Sequence, residues 1–332
     1  MTILVSFGTR PEYIKVKSII NNLETKVVIV KQHTDLFENI DIKYDYAIDI
    51  ETISDNRLND IVISIMKRSD IFKGIDYVMV QGDTTSALAM AISAFNNKVK
   101  VIHLEAGLRT YDIYNPYPEE SNRQLISRIA HINLCPTSKN YDNLISENIH
   151  QKIYITGNTG LDNIDKTGCV YGNTILVTLH RRDNHPIMDK WFKVLAKLAT
   201  KYTELKFILP IHPNPNVLKH RYILDESNIN VINPIQHHEL IDIIKQCKFI
   251  ISDSGGIQEE ASYLNKKIII CRNTTERPEV LENHGVLCPL PDQLNDIFEQ
   301  IYNNYIVDPS TKCPFGDGHS WKLIKDILDS KV

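Results

Sequence analysis

The feature that most constrains this chain is an alternation repeated along it: a short, uninterrupted apolar run, a turn, then apolar residues at helical spacing. The runs are "ILVSF", "KVVIV", "YVMVQ", "KVIHLE", "HINLCP" and "KIYITG" in the first half, and "TILVTL", "KFILPI", "INVIN", "FIISD" and "KIIIC" in the second. Between them lie stretches such as "EYIKVKSIINNL", "TTSALAMAISAFNN", "DKWFKVLAKLATKY" and "HHELIDIIKQC". A strand that is apolar on both faces must be covered on both faces, and helical crossovers make neighbouring strands parallel. The expected class is therefore α/β, with doubly wound, Rossmann-like parallel sheets. At 332 residues the chain exceeds one typical core, and the pattern restarts after the polar stretch "LDNIDKTGCVYGNT", so two domains are expected. We expect an amino-terminal domain over residues 1–165 plus 319–332 and a carboxyl-terminal domain over 166–318. The tail "SWKLIKDILDSKV" follows the Pro/Gly-rich "CPFGDGH" and reads as a helix returning to the first domain. Two such domains facing a central cleft would gather their functional residues just after the strands.

Composition narrows the partners. The net charge is −4, with no basic run of five residues, which argues against nucleic acid as the main ligand. The six cysteines, Cys135, Cys169, Cys247, Cys271, Cys288 and Cys313, show no C-x-x-C spacing, so buried thiols are expected rather than disulfides or a metal site. No apolar run approaches the ~20 residues of a membrane span, and "MTILVSFGTRPE" lacks the pattern of a secretory leader. A cytoplasmic, soluble protein is expected.

The strand ends carry the chemistry. "SFGTRPEYIK" supplies Gly8, Arg10 and Lys15; "VQGDTTS" supplies Asp83; "IHLEAGLRT" supplies Glu105; "LPIHPNP" supplies His212; "SDSGG" supplies Ser254, Gly255 and Gly256. Singly, each has a bland reading: Arg10 in an ion pair beside a helix cap, Asp83 as a helix N-cap, His212 as a turn histidine. Their recurrence at strand ends points to a binding cleft. Arg10, Lys15, Arg123 and Arg277 could face an anion, and the glycine-paired turn exposes amides at a helix start, so a diphosphate is the natural guest. Neither G-x-x-x-x-G-K-[ST] nor G-x-G-x-x-G follows the first strand, which disfavours an ATPase and a nicotinamide enzyme. Asp83, Glu105 and the Glu119–Glu120 pair concentrate carboxylates in the first half, as proton transfer at carbon requires. Glu120 and Arg123 could equally pair across one helical turn. Arg277 could equally form a surface ion pair with Glu276 or Glu279.

Taken together, "GTRPEYIK", "GDTTS", "HLEAGLRT", "PYPEESNR", "TGNT", "LVTLHRRDN", "PIHPNPNV", "SDSGGIQEEA", "RNTTERPE" and "PFGDG" resemble the non-hydrolysing UDP-N-acetylglucosamine 2-epimerase family, in that family's order. The resemblance implies a GT-B-like architecture, a UDP-amino-sugar substrate, no redox cofactor, no metal and a homodimer. It implies catalytic positions at Asp83, Glu105, Glu119, Arg123 and His212. Substrate and UDP contacts are implied at Arg10, Lys15, Ser254, Gly255, Gly256, Glu260 and Arg277, with Glu260 on the ribose. The chain departs from the family where "KQHTDLF" keeps Gln32 and His33 but has Thr34 in an arginine position. That position belongs to a second, regulatory UDP-sugar site in bacterial members. Ile235 and Leu240 stand where several members have Gln and Phe near the uracil, and the first domain is shorter than usual between residues 32 and 60. Against the family pattern, these departures together fit a member acting on a modified 6-deoxy or diacetamido UDP-sugar. The competing readings are a hydrolysing 2-epimerase, whose "HIHGGE" is replaced here by "HLEAGLRT", a GT-B glycosyltransferase, and an inactive UDP-sugar sensor.

Overall fold

A computed structural model describes residues 1–32 and 42–331. The chain divides into two compact units, Met1–Asn163 with Phe315–Val332, and Ile164–Pro314. These limits fall two and four residues earlier than the sequence pattern suggests. The return is earlier because Phe315 is itself buried and its carbonyl accepts the Asn158 N–H at 2.7 Å.

The first unit contains β1 (Ile3–Phe7), α1 (Arg10–Asn22), β2 (Thr25–Lys31), β3 (Tyr46–Asp49), α2 (Arg57–Met66), β4 (Tyr77–Gln81) and α3 (Thr85–Asn96). It continues with β5 (Lys100–Leu104), α4 (Glu119–Ile129), β6 (Ile132–Cys135), α5 (Ser138–Ser146) and β7 (Lys152–Ile155), and is completed by α11 (Ser320–Lys331). Its seven strands are all parallel in the order β3-β2-β1-β4-β5-β6-β7. The continuous apolar runs are explained by what each face meets. Leu4, Val28, Val30, Val78 and Val80 pack with Ile65 and Met90 on one side of the sheet. Ile3, Val5, Phe7, Val27, Ile29 and Met79 pack with Val16, Ile19, Ile324 and Leu328 on the other. Alternate residues of one strand thus enter different cores, so neither set can be polar.

The second unit contains β8 (Thr174–Thr178), α6 (Met188–Lys201), β9 (Lys206–Pro210), α7 (Pro215–Leu218), β10 (Ile229–Ile232), α8 (His237–Gln246) and β11 (Cys247–Ser252). It ends with α9 (Gly255–Tyr263), β12 (Ile268–Ile270), β13 (Gly285–Leu287) and α10 (Leu294–Asn303). Its six strands are parallel in the order β10-β9-β8-β11-β12-β13. Ile175, Val177, Phe207, Leu209, Phe249 and Ile251 form its main core with Trp191, Leu195 and Leu198 of α6 and Phe298 of α10.

Both sheets are doubly wound and Rossmann-like. Strand order reverses between β1 and β4 in one and between β8 and β11 in the other, and the carboxyl ends of strands at such a reversal are where open α/β sheets bind ligands. Among the described residues no helix is long and apolar enough to cross a membrane.

Candidate active site

In the first unit the carboxylates cluster where the topology predicts a crevice. β4 ends at Gln81, and Gly82 turns the chain with φ +69° while its N–H donates to the Leu104 carbonyl at 2.9 Å. Asp83 follows. It does not cap α3; Thr84 does, its hydroxyl accepting the Ala87 N–H. The Asp83 side chain is therefore left for another task. Its Oδ2 lies 2.7 Å from Arg123 Nη2, and α4 grips its carbonyl through Asn122 Nδ2 at 2.8 Å. Burial pushes the Asp83 carboxyl up, Arg123 and Lys15 pull it down, and Glu105 and Glu119 add to the rise. The net direction is upward, toward the range a general base needs. A quarter of the side chain stays exposed, so the rise is smaller than for a sealed carboxyl.

Glu105 follows β5 in a left-handed conformation, φ +66°, which costs a non-glycine residue roughly 1–3 kcal/mol unless its surroundings hold it. Three side chains do. Lys15 ion-pairs with one carboxylate oxygen, where Asn158 Nδ2 also donates at 3.5 Å, and Gln81 donates to the other. Lys15, expected to contact substrate, is thus engaged with Glu105 here.

Glu119 opens α4, and its buried Oε2 meets no hydrogen-bond partner among the described residues. A buried carboxylate oxygen without a donor is expensive, which marks it as an atom awaiting a ligand. Its neighbour Glu120 has the structural role. Fully buried, it accepts the Thr110 and Tyr111 N–H groups at 2.9 and 3.1 Å and the Gln124 amide at 2.7 Å. Arg123 Nη1 is 3.4 Å from Glu120, so the helical pairing coexists with the Asp83 contact. Arg10 is the first residue of α1.

Three residues of this region escaped the sequence reading. Glu12, fully buried, accepts the Gly8 N–H at 3.0 Å and the Thr9 and Thr84 hydroxyls at 2.8 Å, tying the turn after β1 to the turn after β4. Burial raises its carboxyl's pKa against those donors. His103 places one ring nitrogen 2.8 Å from the Gly82 carbonyl and the other 3.3 Å from Ser127. Burial lowers its pKa to about 4, so it is a neutral strut between the Asp83 turn and α4. Asn158 reaches Glu105 from the segment after β7. Glu12 had a weak signal, an acid in a helix's first turn, which reads as an ordinary dipole partner.

In the second unit β11 ends at Ser252. Asp253, wholly buried, accepts the His180 and Arg181 N–H groups and the Asn184 amide, each at 2.9 Å to one oxygen. The next residues start α9. Ser254 occupies the N-cap position without a side-chain cap bond, leaving the amides of the first turn uncovered. The two glycines differ. A side chain on Gly255 would lie 2.7 Å from Arg277 Nη1, whereas one on Gly256 would meet nothing within 4 Å. A Cβ at the first glycine would have to displace the Arg277 guanidinium from its place beside Glu276. At the second nothing stands in the way, and its bareness leaves room over the helix terminus for an anion.

Arg277 is buried, not a surface residue, and pairs with Glu259 and with Glu276 at 2.6 Å. Arg272 also meets Glu276, at 2.7 Å. Burial alone would raise the Glu276 carboxyl, but the two guanidiniums hold it far below the usual range. Glu260 Oε1 is 2.7 Å from His237 Nε2, and its buried Oε2 has no hydrogen-bond partner among the described residues. His212 follows β9 and stacks on His180, ring centroids 5.2 Å apart. Burial, His180 and His185 lower its pKa.

The remaining expectations fall as follows. Cys135, Cys247, Cys271 and Cys288 are buried, with no disulfide among the described cysteines. Gln32 bonds Ser86 at 2.5 Å, while His33 and Thr34 lie outside the described residues.

Two Rossmann-like sheets with carboxylates grouped at one and an open helix terminus at the other define a GT-B-like enzyme. The fold alone is shared with the crystal structure of Acinetobacter baumannii MurG, at TM-score 0.60 and 12% identity over 99% of both chains. The chain belongs to the UDP-N-acetylglucosamine 2-epimerase family of isomerases, whose sequence pattern matches residues 18–329. It is 38% identical to the UDP-N-acetylglucosamine 2-epimerase of Campylobacter jejuni over 98% of this chain and 97% of that one. It is similar, at TM-score 0.88 and 32% identity over the whole of both chains, to the crystal structure of the Neisseria meningitidis UDP-GlcNAc 2-epimerase bound to UDP-GlcNAc.

Proposed function

We propose that this protein interconverts UDP-N-acetylglucosamine and its C2 epimer, UDP-N-acetylmannosamine, or a 6-deoxy or diacetamido analogue of that pair. A carboxylate takes the proton from C2 while the C1–O bond breaks, and its electron pair leaves with the UDP oxygen. The enzyme then holds a glycal and UDP. The same UDP oxygen returns to C1 as a proton is delivered to C2 from the opposite face. Atoms balance without an oxidant, and inversion needs proton donors on two faces.

Asp83 and Glu119 handle the protons, with Glu105 and Arg123 in support. Glu119 contributes the buried oxygen that lacks a donor, and Asp83 the carboxyl whose proton affinity burial has raised. Arg10, Lys15 and Arg277 serve substrate and phosphates, the Ser254–Gly256 amides cradle the diphosphate, and Glu260 holds the ribose. His212 stabilises the departing diphosphate, where preorganised donors contribute most. The reading includes a cytoplasmic homodimer, for which light scattering on the purified protein is the measurement.

The observation that carries this reading is the grouping of Asp83, after β4, and Glu105, after β5, with Glu119 and Arg123 of α4. A nucleotide-sugar transferase of like architecture needs no such set. Incubation with UDP-GlcNAc in D2O, followed by NMR, tests it. Deuterium should enter C2 of the retained UDP-sugar. Free UDP with free sugar would mean hydrolysis instead, and no exchange with any UDP-amino sugar would end the epimerase reading.

A further inference from the structure

His212 is not an isolated imidazole. The His180 ring lies nearly parallel to it, 10° between planes and 5.2 Å between centroids. The Asn214 N–H donates to His212 Nδ1 at 3.1 Å. A backbone N–H cannot accept, so Nδ1 must carry its lone pair and the ring's single proton resides on Nε2. His180 is itself fixed. Its N–H donates to Asp253 Oδ2 at 2.9 Å, its Nδ1 lies 3.5 Å from Asp253 Oδ1, and its carbonyl is 3.0 Å from His185 Nε2.

We propose that His180 is a positioning residue that, stacked on His212, holds it as the neutral Nε2–H imidazole, so that His212 donates a hydrogen bond to the departing diphosphate without giving up its proton. Two imidazoliums cannot stack this closely at low cost, so at most one ring of the pair carries charge. Asp253 lies on the His180 side of the pair, its Oδ1 3.5 Å from the His180 Nδ1. Among the described residues the ionisable groups acting on His212 are His180 and His185, from the segment after β8, and Asp253, at the end of β11. The two histidines oppose its protonation and the buried aspartate favours it. A neutral donor suits a leaving group that must return: a diphosphate that had captured a proton would be a poorer nucleophile for re-addition at C1. The inference rests on the assignment of His212 to the leaving diphosphate.

The test combines two readouts on the whole protein. Nitrogen-15 NMR of the histidine rings, with His212 identified by the signals lost in His212→Gln, should show the neutral Nε2–H pattern at neutral pH. In His180→Phe, which keeps a flat ring but no charge, His212 should titrate at higher pH. The acid limb of kcat/KM should move the same way, with several-fold lower activity than wild type near pH 6 and values within about twofold near pH 8. His180→Gln is the second variant should Phe disturb folding. A doubly protonated or Nδ1–H His212 at neutral pH, or an acid limb unmoved in both variants, would overturn the proposal. The NMR arm reads His212 without turnover. An inactive protein with the neutral Nε2–H ring would therefore count against the epimerase reading and not against this one.

Discussion

Asp83 is held between opposing influences: burial raises its proton affinity, and the Arg123 guanidinium at 2.7 Å lowers it. Asp83→Asn keeps a side chain of the same shape and removes the base. Exchange at C2 should fall by about a thousandfold or more, with UDP affinity within a few fold of wild type by calorimetry. Loss of UDP binding would instead make Asp83 structural. Glu12 gives a prediction in pH. Its folded-state pKa lies above the ordinary value of 4.5. Its share of stability is therefore complete below the unfolded value and lost as pH climbs through the raised folded one, because the unfolded chain releases that proton first. Glu12→Gln carries no such proton. Thermal melts should show the variant below wild type at about pH 4.5 and gaining on it toward pH 8. A constant difference would refute the assignment. Glu12→Ala, which strands the buried Gly8 N–H, should cost about 1–3 kcal/mol. These two acids also show what a sequence can convey. Asp83 follows a strand and a glycine, so its place was legible. Glu12, His103, His180 and Asp253 act by reaching across to other elements, and no spacing within one element encodes that.

The long strands were legible as elements because each side of the sheet needed its own apolar set, which wrote an unbroken run into the chain. β3 ("YAID") and β13 ("GVL") escaped for the converse reason. They are edge strands, short and covered on fewer sides, and carry no such run. The start of α9 was legible as a turn, but not the difference between its glycines. That needed the position of Arg277. Gly255→Ala should disturb the Arg277–Glu276 contact and lower stability. Gly256→Ala, with open space at its Cβ, should leave stability unchanged or raise it by up to about 0.5–1 kcal/mol. It should nevertheless weaken UDP binding about tenfold, a loss of about 1.4 kcal/mol. A variant more stable yet poorer at binding would separate ligand design from folding at this turn. Unchanged UDP affinity would remove the α9 terminus from the phosphate site.

At the scale of the whole molecule, the chain leaves its first unit at Asn163, builds the second, and returns at Phe315. The return is not decorative. Asp162 accepts the Ser320 and Trp321 N–H groups, both at 2.9 Å, which caps the start of α11 from the far side of the sequence. Ile324 and Leu328 are buried against Val16 and Ile19 of α1 and the β1–β2 face of the sheet. Burying two such side chains contributes about 3–6 kcal/mol, comparable to the net stability of many domains. The core of the first unit is therefore completed by a segment that follows the second unit in the chain, whereas the second unit is continuous in sequence. Ile324→Ala should cost about 2–4 kcal/mol. Deleting residues 315–332 should be harsher and selective. Hydrogen exchange should show protection lost in β1, β2 and α1 while β8, β9 and β11 keep theirs, and UDP binding should outlast C2 exchange. Uniform loss across both sheets would mean that the two units stand or fall together, and that the returning helix is not the first unit's own.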